Sequence, residues 1–308
     1  DALPANYHPA VASGFVRVRV ADTGCGMTKE FAEHVFDAFT QERNRNSDSQ
    51  KGTGLGMSIS YLLMTQMGGS ITVDGEGTVI VTDQCLLSPG RTASAVLAEE
   101  ADEDTIWPAY AKKFQPWSEE LRAYMDEHLK AYLGVEKVIW VKEGIDPEET
   151  NGHIDDVATF IAPGVVAVIW TDDPDYPFYR QCHEAYDTLA AATDAKGRQL
   201  KVYKLPMPAN PLYMDQASCD TIDVDENAEP RVADEPLIAS YMNYLVTNGG
   251  VIVPQYGDEN DALAVQTLQE IYDEVWGAGA YKCVGVQSEQ VVFGGGNIHC
   301  ITQQEPKA

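Results

Sequence analysis

The chain has 308 residues, enough for one large domain or two ordinary ones, and 44% of them are hydrophobic. It contains 48 Asp and Glu against 21 Lys and Arg, so its formal net charge is −27. A field of that sign repels nucleic acid and anionic membranes and attracts small cations. We therefore expect neither a nucleic-acid partner nor a membrane partner.

The cysteines and the apolar segments indicate a cytoplasmic location. No apolar run approaches the roughly 20 residues that a membrane-spanning helix needs. The first residues lack the basic and apolar regions of a signal peptide. The six cysteines are scattered, with no Cys-x-x-Cys spacing, which is typical of reduced thiols.

In chain order, the first 67 residues predict a short α/β segment. Residues 15–20 alternate apolar and basic side chains, as a half-buried strand does. Residues 30–39 predict a short amphipathic helix, residues 40–51 a polar loop, and residues 55–67 a second helix that ends at Gly68.

The rest of the chain predicts repeated α/β units. Two stretches, residues 164–192 and 250–275, each read as an apolar strand with an acidic end followed by a helix. Further elements are a helix over 118–133 and strands over 138–141 and 201–205. The polar segment 213–236 is long for a loop, so it either covers a site or is mobile.

Two glycine clusters near the start of the chain predict a nucleotide site. The first follows a strand and the second opens a helix, where free backbone N–H groups favour phosphate. Together they comprise Asp22, Gly24, Gly26, Gly52, Gly54 and Gly56. In this order, over residues 15–73, they resemble the GHKL ATP-binding domain of sensor histidine kinases.

That resemblance implies an ATP site in which Asp22 contacts adenine and the second cluster faces the phosphates. The family also has an upstream Asn that holds Mg²⁺ and a phospho-accepting His. Neither His8 nor His34 stands in the place of that His, and no helix bearing the Asn is evident before Asp22. We therefore expect no autokinase activity and only weak binding of ATP.

A cysteine near the end of the chain predicts a nucleophile. Cys300 follows a turn of three glycines, which would let a substrate approach the sulfur, although a buried Cys is more often inert. In an extended segment His299 would point to the opposite face, so we do not expect it to be the base. His153 and Asp155 would share one face of a strand and suit proton transfer and charge recognition, with a surface ion pair or a helix cap as the alternative.

Many separate motifs over residues 68–308 resemble agmatine deiminase, in that family's order. The motifs are residues 134–140, 150–155, 162–166, 170–174, 192–198, 248–254 and 294–304. The resemblance implies the pentein fold, in which five α/β units surround a pseudo-fivefold axis. It also implies that agmatine is the substrate and that no metal or organic cofactor is needed.

By this resemblance, each residue of the site has a role. Cys300 attacks the guanidinium carbon, His153 moves protons and Asp155 holds the guanidinium. Asn151, Gly296 and Asn297 are the implied substrate-binding residues.

The two resemblances overlap within one segment, residues 67–78. Residues 68–73 could be the last strand of the kinase domain or an internal strand of the deiminase. We place the boundary there, with a truncated kinase-like fragment over 1–73 and a deiminase-like domain without its N-terminal portion over 74–308. The predicted fold class is therefore α/β, a partial pentein with an N-terminal fragment of a GHKL-type sandwich.

Kinase-like sequence stands where the deiminase family carries an Asp and a Trp of the agmatine pocket. Met67 stands where the family usually has Glu, and Thr72 where it usually has His. Three hypotheses follow: an agmatine-deiminase-type hydrolase impaired by truncation, an ATP-binding module without autokinase activity, and an inactive chimera.

Overall fold

The computed structural model describes residues 71–87, 119–145, 152–220, 232–233 and 235–302. Every residue of the proposed nucleotide site lies outside the described residues, namely Asp22, Gly24, Gly26, Gly52, Gly54 and Gly56. Asn151, one of the expected substrate-binding residues, also lies outside them.

The described residues form three units of one kind, each a three-stranded sheet with a helix between its second and third strands. In every unit the first two strands are antiparallel and the last two are parallel. A parallel pair needs a crossover connection, and the helix supplies it. The prediction of a mixed α/β fold built from repeated units is confirmed.

The first unit contains β1 (Ile71–Val73), β2 (Thr78–Thr82), α1 (Asp83–Leu86), α2 (Glu119–Leu133) and β3 (Lys137–Val141). The second contains β4 (Ala158–Ala162), β5 (Val165–Trp170), α3 (Tyr179–Ala191) and β6 (Lys201–Pro206). A short helix, α4 (Gln216–Cys219), follows it. The third contains β7 (Leu245–Thr247), β8 (Gly250–Gln255), α5 (Asp261–Trp276) and β9 (Lys282–Gln287).

The first strands of the second and third units, β4 and β7, are elements that the sequence patterns missed. β4 and β7 are short and lie directly before the longer apolar strands, to which tight turns connect them. Gly164 and Gly249 have positive φ values of 76° and 83° at these two turns, a conformation that side chains with a Cβ rarely adopt. The expected strand–acid–helix unit is therefore the middle part of a larger strand–strand–helix–strand unit.

The core extends across all three units. Ile80 of β2 packs in the main apolar cluster with residues of the second and third units. Its neighbours Val79 and Val81 pack in a second cluster with the helix α2. Successive side chains of a strand point to opposite faces, so β2 is buried on both sides.

Two further findings concern the helices and the segment 213–236. None of the helices in the described residues is long and apolar enough to span a bilayer. The expected loop at 213–236 contains α4 and a bridge between Tyr213 and Pro236, and residues 221–231 lie outside the described ranges.

Candidate active site

Three segments that precede or follow strands of different units meet at one site. Gly152 to Asp156 lead into β4, Ser240 to Asn243 lead into β7, and Asn297 to Cys300 follow β9. Hydrogen bonds tie the segments together, because Ser240 Oγ donates to the Asp156 carbonyl at 2.8 Å and the His299 N–H donates to the Asn243 carbonyl at 3.1 Å.

His153 and Asp155 lie on a turn of 3₁₀ helix, not on a strand. Gly152 has a φ of 72°, which redirects the chain, and the Val157 N–H then bonds the Ile154 carbonyl at 2.9 Å. The expectation of a shared strand face is therefore wrong, because this local hydrogen bond closes a helical turn before β4 begins. The turn nevertheless brings the two side chains together, with His153 Nδ1 3.9 Å from Asp155 Oδ1.

Asp155 lies at the centre of the polar contacts, and its side chain is only 6% exposed. Its Oδ2 accepts from His299 Nδ1 at 2.7 Å, from Asn243 Nδ2 at 3.2 Å and from Cys300 Sγ at 3.2 Å. Burial opposes ionisation, but the hydrogen bond from His299 and the nearby positive charge hold the pKa of Asp155 below its usual value. The same bond outweighs the burial of His299 and raises the pKa of its imidazole.

The Cys300 thiol is partly buried among acidic groups. Burial raises its pKa, and the carboxylates of Asp155 and Asp156 raise it further, while the Asn243 amide lowers it. The thiols of Cys182 and Cys283 have pKa values raised by burial to about 12 and about 11. What distinguishes Cys300 is the pair of carboxylates beside it, whose effect a bound cation would offset.

His299 faces Asp155, although an extended segment would have turned it away from Cys300. Residues 298–301 form a turn, in which the Ile301 N–H bonds the Asn297 carbonyl at 3.2 Å. In a helical turn, neighbouring side chains lie about 100° apart and can face the same group. The expectation that His299 points away from the site is therefore wrong.

The residues around the turn give it its shape. At Gly296, where φ is 74°, an added Cβ would lie 2.9 Å from the Cys300 Cβ and still closer to its sulfur. Asn297 is fully buried, and its Nδ2 donates to the Tyr256 hydroxyl at 3.3 Å and to the Ser288 carbonyl at 3.4 Å. In this structure both residues support the turn that bears Cys300.

The same atoms could also hold a cation. Asp155, Asp156 and Cys300 each offer a ligand atom, and these atoms lie within 4.8 Å of one another. Carboxylate oxygens and thiolate sulfur are ligands for divalent metals, but paired carboxylates also suit a planar guanidinium. The arrangement therefore selects for positive charge without by itself choosing between the two.

The structure brings together Cys300, His153 and Asp155, which the sequence predicts as one set. Asp156, Asn243 and His299 also contact the site, and the sequence reasoning did not predict their involvement. Asp156 and His299 directly follow or precede predicted residues, so adjacency was the only signal for them. Asn243 is distant from both motifs in the chain and gave none.

Comparison with known proteins gives two family matches. A model of the Porphyromonas-type peptidyl-arginine deiminase family matches residues 116–306. A model of the histidine kinase-, DNA gyrase B- and HSP90-like ATPase family matches residues 7–87.

Individual relatives agree with the first match. A putative agmatine deiminase of Streptococcus mutans is 51% identical over 239 residues, which are 78% of this chain and 56% of that protein. An agmatine deiminase of Pseudomonas aeruginosa is 40% identical over 78% of this chain and 56% of its own length. The solved structure of the Enterococcus faecalis agmatine deiminase superposes with a TM-score of 0.64 at 48% identity, covering 78% of this chain and 57% of that one.

The chain thus spans just over half the length of the curated relatives that it matches. With its repeated α/β units and a family match over residues 116–306, the chain belongs to the Porphyromonas-type peptidyl-arginine deiminase family.

Proposed function

We propose that this chain is a hydrolase of the agmatine deiminase type, which converts agmatine and water to N-carbamoylputrescine and ammonia. The observation that carries the proposal is the thiol of Cys300 hydrogen-bonded, at 3.2 Å, to the buried carboxylate of Asp155. A nucleophile and an anion in one buried site suit a cationic electrophile. The name of the S. mutans relative supports agmatine as that electrophile.

Asp155 would bind the guanidinium. Within the described residues, its Oδ1 is buried and has no hydrogen-bond partner, while its Oδ2 is fully engaged. A guanidinium N–H could donate to Oδ1 and leave the contacts of Oδ2 in place. The charge of the guanidinium would offset that of Asp155 and Asp156, which lowers the cost of ionising the nearby thiol.

In the reaction, the Cys300 thiolate forms a C–S bond to the guanidinium carbon, and the C–N bond to a terminal amine then breaks. The amine takes a proton and leaves as ammonia, so a thiouronium adduct stays on the sulfur. Water next adds to the same carbon and the C–S bond breaks, which gives the urea product and returns the thiol. His153 would move these protons, and the Asp155–His299 pair would hold the carboxylate ionised.

The family needs no cofactor for this chemistry, and we propose none for the deiminase-like part. The free cysteines of the described residues fit the proposed cytoplasmic location. Turnover would be slower than in relatives that carry the Asp and the Trp of the family's pocket, since kinase-like sequence stands in their place here. A desolvated cation short of one carboxylate loses several kcal/mol of stabilisation, on the order of a thousandfold or more in rate.

Ammonia release from agmatine by the purified chain tests this function. We expect slow turnover that Cys300→Ala lowers by about a thousandfold or more, because no other group in the site can form the adduct. Cys283→Ala is the matched control, since that thiol is buried in the core and should leave turnover unchanged. Equal release by the parent chain and Cys300→Ala would contradict the proposal, and no release by the parent would contradict it and favour an inactive chimera.

We infer a second candidate function, nucleotide binding, from the match of residues 7–87 to the ATPase family. We expect ATP to bind weakly, with affinity lost in Asp22→Ala because that carboxylate is the expected acceptor for the adenine amine. Equilibrium binding measured up to millimolar ATP tests this. Absence of binding at that concentration, or equal binding by Asp22→Ala, would remove it.

A further inference from the structure

We propose that Asn243 is the positioning residue of this site, which holds the Cys300 turn against the Asp155 and Asp156 carboxylates. The catalytic role of Asn243 in this inference rests on the proposed function. Its geometry involves three segments of the chain that only the fold brings together. Asn243 precedes β7 and is fully buried.

The side-chain oxygen of Asn243 anchors the turn. Oδ1 accepts from the backbone N–H groups of His299 at 2.9 Å, Asn297 at 3.1 Å and Cys300 at 3.2 Å. The His299 N–H is shared with the Asn243 backbone carbonyl at 3.1 Å, so both of its acceptors belong to the same residue. A buried N–H without an acceptor is destabilising, so one amide oxygen satisfies much of the turn's backbone.

The side-chain nitrogen of Asn243 faces the reacting groups. Nδ2 lies 2.9 Å from Asp156 Oδ1, 3.0 Å from Cys300 Sγ and 3.2 Å from Asp155 Oδ2. The three N–H donors on one side and the two carboxylates on the other fix which end of the amide is oxygen. A flipped amide would set its oxygen against both carboxylates.

This orientation has a consequence for the thiol. Among the described residues, Asp155, Asp156 and His299 are titratable groups that face or adjoin Cys300, and Asn243 contributes a neutral donor 3.0 Å from the sulfur. An N–H directed at sulfur favours the thiolate, whereas the carboxylates disfavour it. Asn243 therefore both places Cys300 and makes its ionisation easier than burial among acids would allow.

Asn243→Asp separates these two roles. Aspartate keeps an oxygen for the three backbone N–H groups but removes the amide donor that faces Sγ and adds an acidic group. At one alkaline pH, we expect iodoacetamide to alkylate Cys300 at least about threefold more slowly in Asn243→Asp than in the parent chain. Peptide mapping measures the alkylation of Cys300 over time. The thiolate fraction falls tenfold for each unit of thiol pKa, and the greater nucleophilicity of a more basic thiolate restores only part of that loss.

Asn210→Asp is the matched control. It also sets a carboxylate beside another one, since Asn210 Nδ2 lies 3.4 Å from Asp258 Oδ2, but on the exposed surface. Its alkylation rate at Cys300 should equal that of the parent chain. Equal rates in Asn243→Asp and the parent, with both variants folded, would overturn the proposal.

Amide hydrogen exchange in the unaltered chain provides a test that does not depend on how a variant folds. We expect the N–H groups of Asn297, His299 and Cys300 to be protected to a similar degree, because one side chain holds all three. Rapid exchange of these three amides, with the neighbouring strand β8 protected, would overturn the proposal. Neither measurement uses agmatine, so a chain that does not turn over agmatine would refute the proposed function and leave this inference standing.

Discussion

At the scale of single residues, the proposed reaction depends on charge that a cationic substrate would bring to Cys300. Burial and two carboxylates raise the pKa of its thiol, so the free site disfavours the thiolate. A guanidinium bound at Asp155 would offset those carboxylates and favour it. The net charge of −27 acts in the same direction over longer range, because it attracts small cations to the molecule.

Gly296→Ala tests how closely the turn encloses the sulfur. An added Cβ would lie 2.9 Å from the Cys300 Cβ, so the thiol must move. A displacement of this kind costs roughly tenfold to a hundredfold in reaction rate. We expect labelling of Cys300 by a haloacetamidine, measured by peptide mass, to slow by that factor.

Gly279→Ala controls for backbone strain in this comparison. Its φ of 80° matches the 74° of Gly296, and nothing lies within 4 Å of an added Cβ. Both variants should lose about 1 kcal/mol of stability, while only Gly296→Ala should lose labelling. If the two label Cys300 at the same rate, contact with Gly296 does not shape the site.

Sequence reasoning located individual residues well where a local motif contained them. Cys300, His153 and Asp155 each stand in a short recognisable pattern, and the structure brings them together. Asn243 could not be found this way, because its contacts lie 54 to 88 residues away in the chain. The predicted direction of the His299 side chain is wrong, because that direction depends on whether the segment is extended or forms a turn.

At the scale of elements, the site forms at the ends of strands from different units. Long apolar strands and amphipathic helices are readable from their periodicity, and β5, β8, α3 and α5 were predicted within a few residues of their bounds. The short first strands β4 and β7 were missed, since three to five residues show too little periodicity. They matter because the segments that lead into them bear Asp155 and Asn243.

Thr72→Ala tests how β1 joins the first unit to the second. Thr72 Oγ1 accepts from the Phe160 N–H at 3.2 Å and lies 3.1 Å from Thr159 Oγ1 on β4. Losing these bonds should cost about 1 kcal/mol and lower Tm by roughly 2 to 4 °C. Thermal melting of the purified variant gives this value.

Thr247→Ala is the matched comparison for that variant. Thr247 Oγ1 donates to the Gly250 carbonyl at 3.1 Å, an exposed bond inside one hairpin, so water can replace it. Its Tm should fall by less than half as much. An equal fall in the two variants would mean that the bonds between β1 and β4 add nothing specific.

At the scale of the whole molecule, two family matches overlap on one small sheet. Residues 71–87 fall within the ATPase-family match, yet β1 pairs there with β2, and β2 pairs with β3, which lies in the deiminase-family match. A strand as short as Ile71–Val73 is compatible with the sheet of either family, because antiparallel pairing requires only a short extended segment with suitable side chains. The domain boundary that we propose at residue 73 falls at the end of this strand.

The overlap also explains what the sequence alone could not decide about the whole chain. The motifs indicate both resemblances. Whether residues 71–73 pair with a kinase-like or a deiminase-like sheet depends on long-range pairing. In the structure, β1 and β2 belong to the same sheet as β3, and β2 is buried on both faces. Segments of the second and third units bring Cys300, Asp155 and Asn243 together in one site.

The most direct test of the central claim is to trap the adduct on Cys300. The chain is mixed with agmatine, quenched in acid within the first turnovers, and digested for mass spectrometry. We predict that the peptide containing Cys300 gains the mass of agmatine less one ammonia, and that Cys300→Ala shows no such gain on any peptide. Ammonia release without this adduct, or an adduct on another cysteine, would contradict the account.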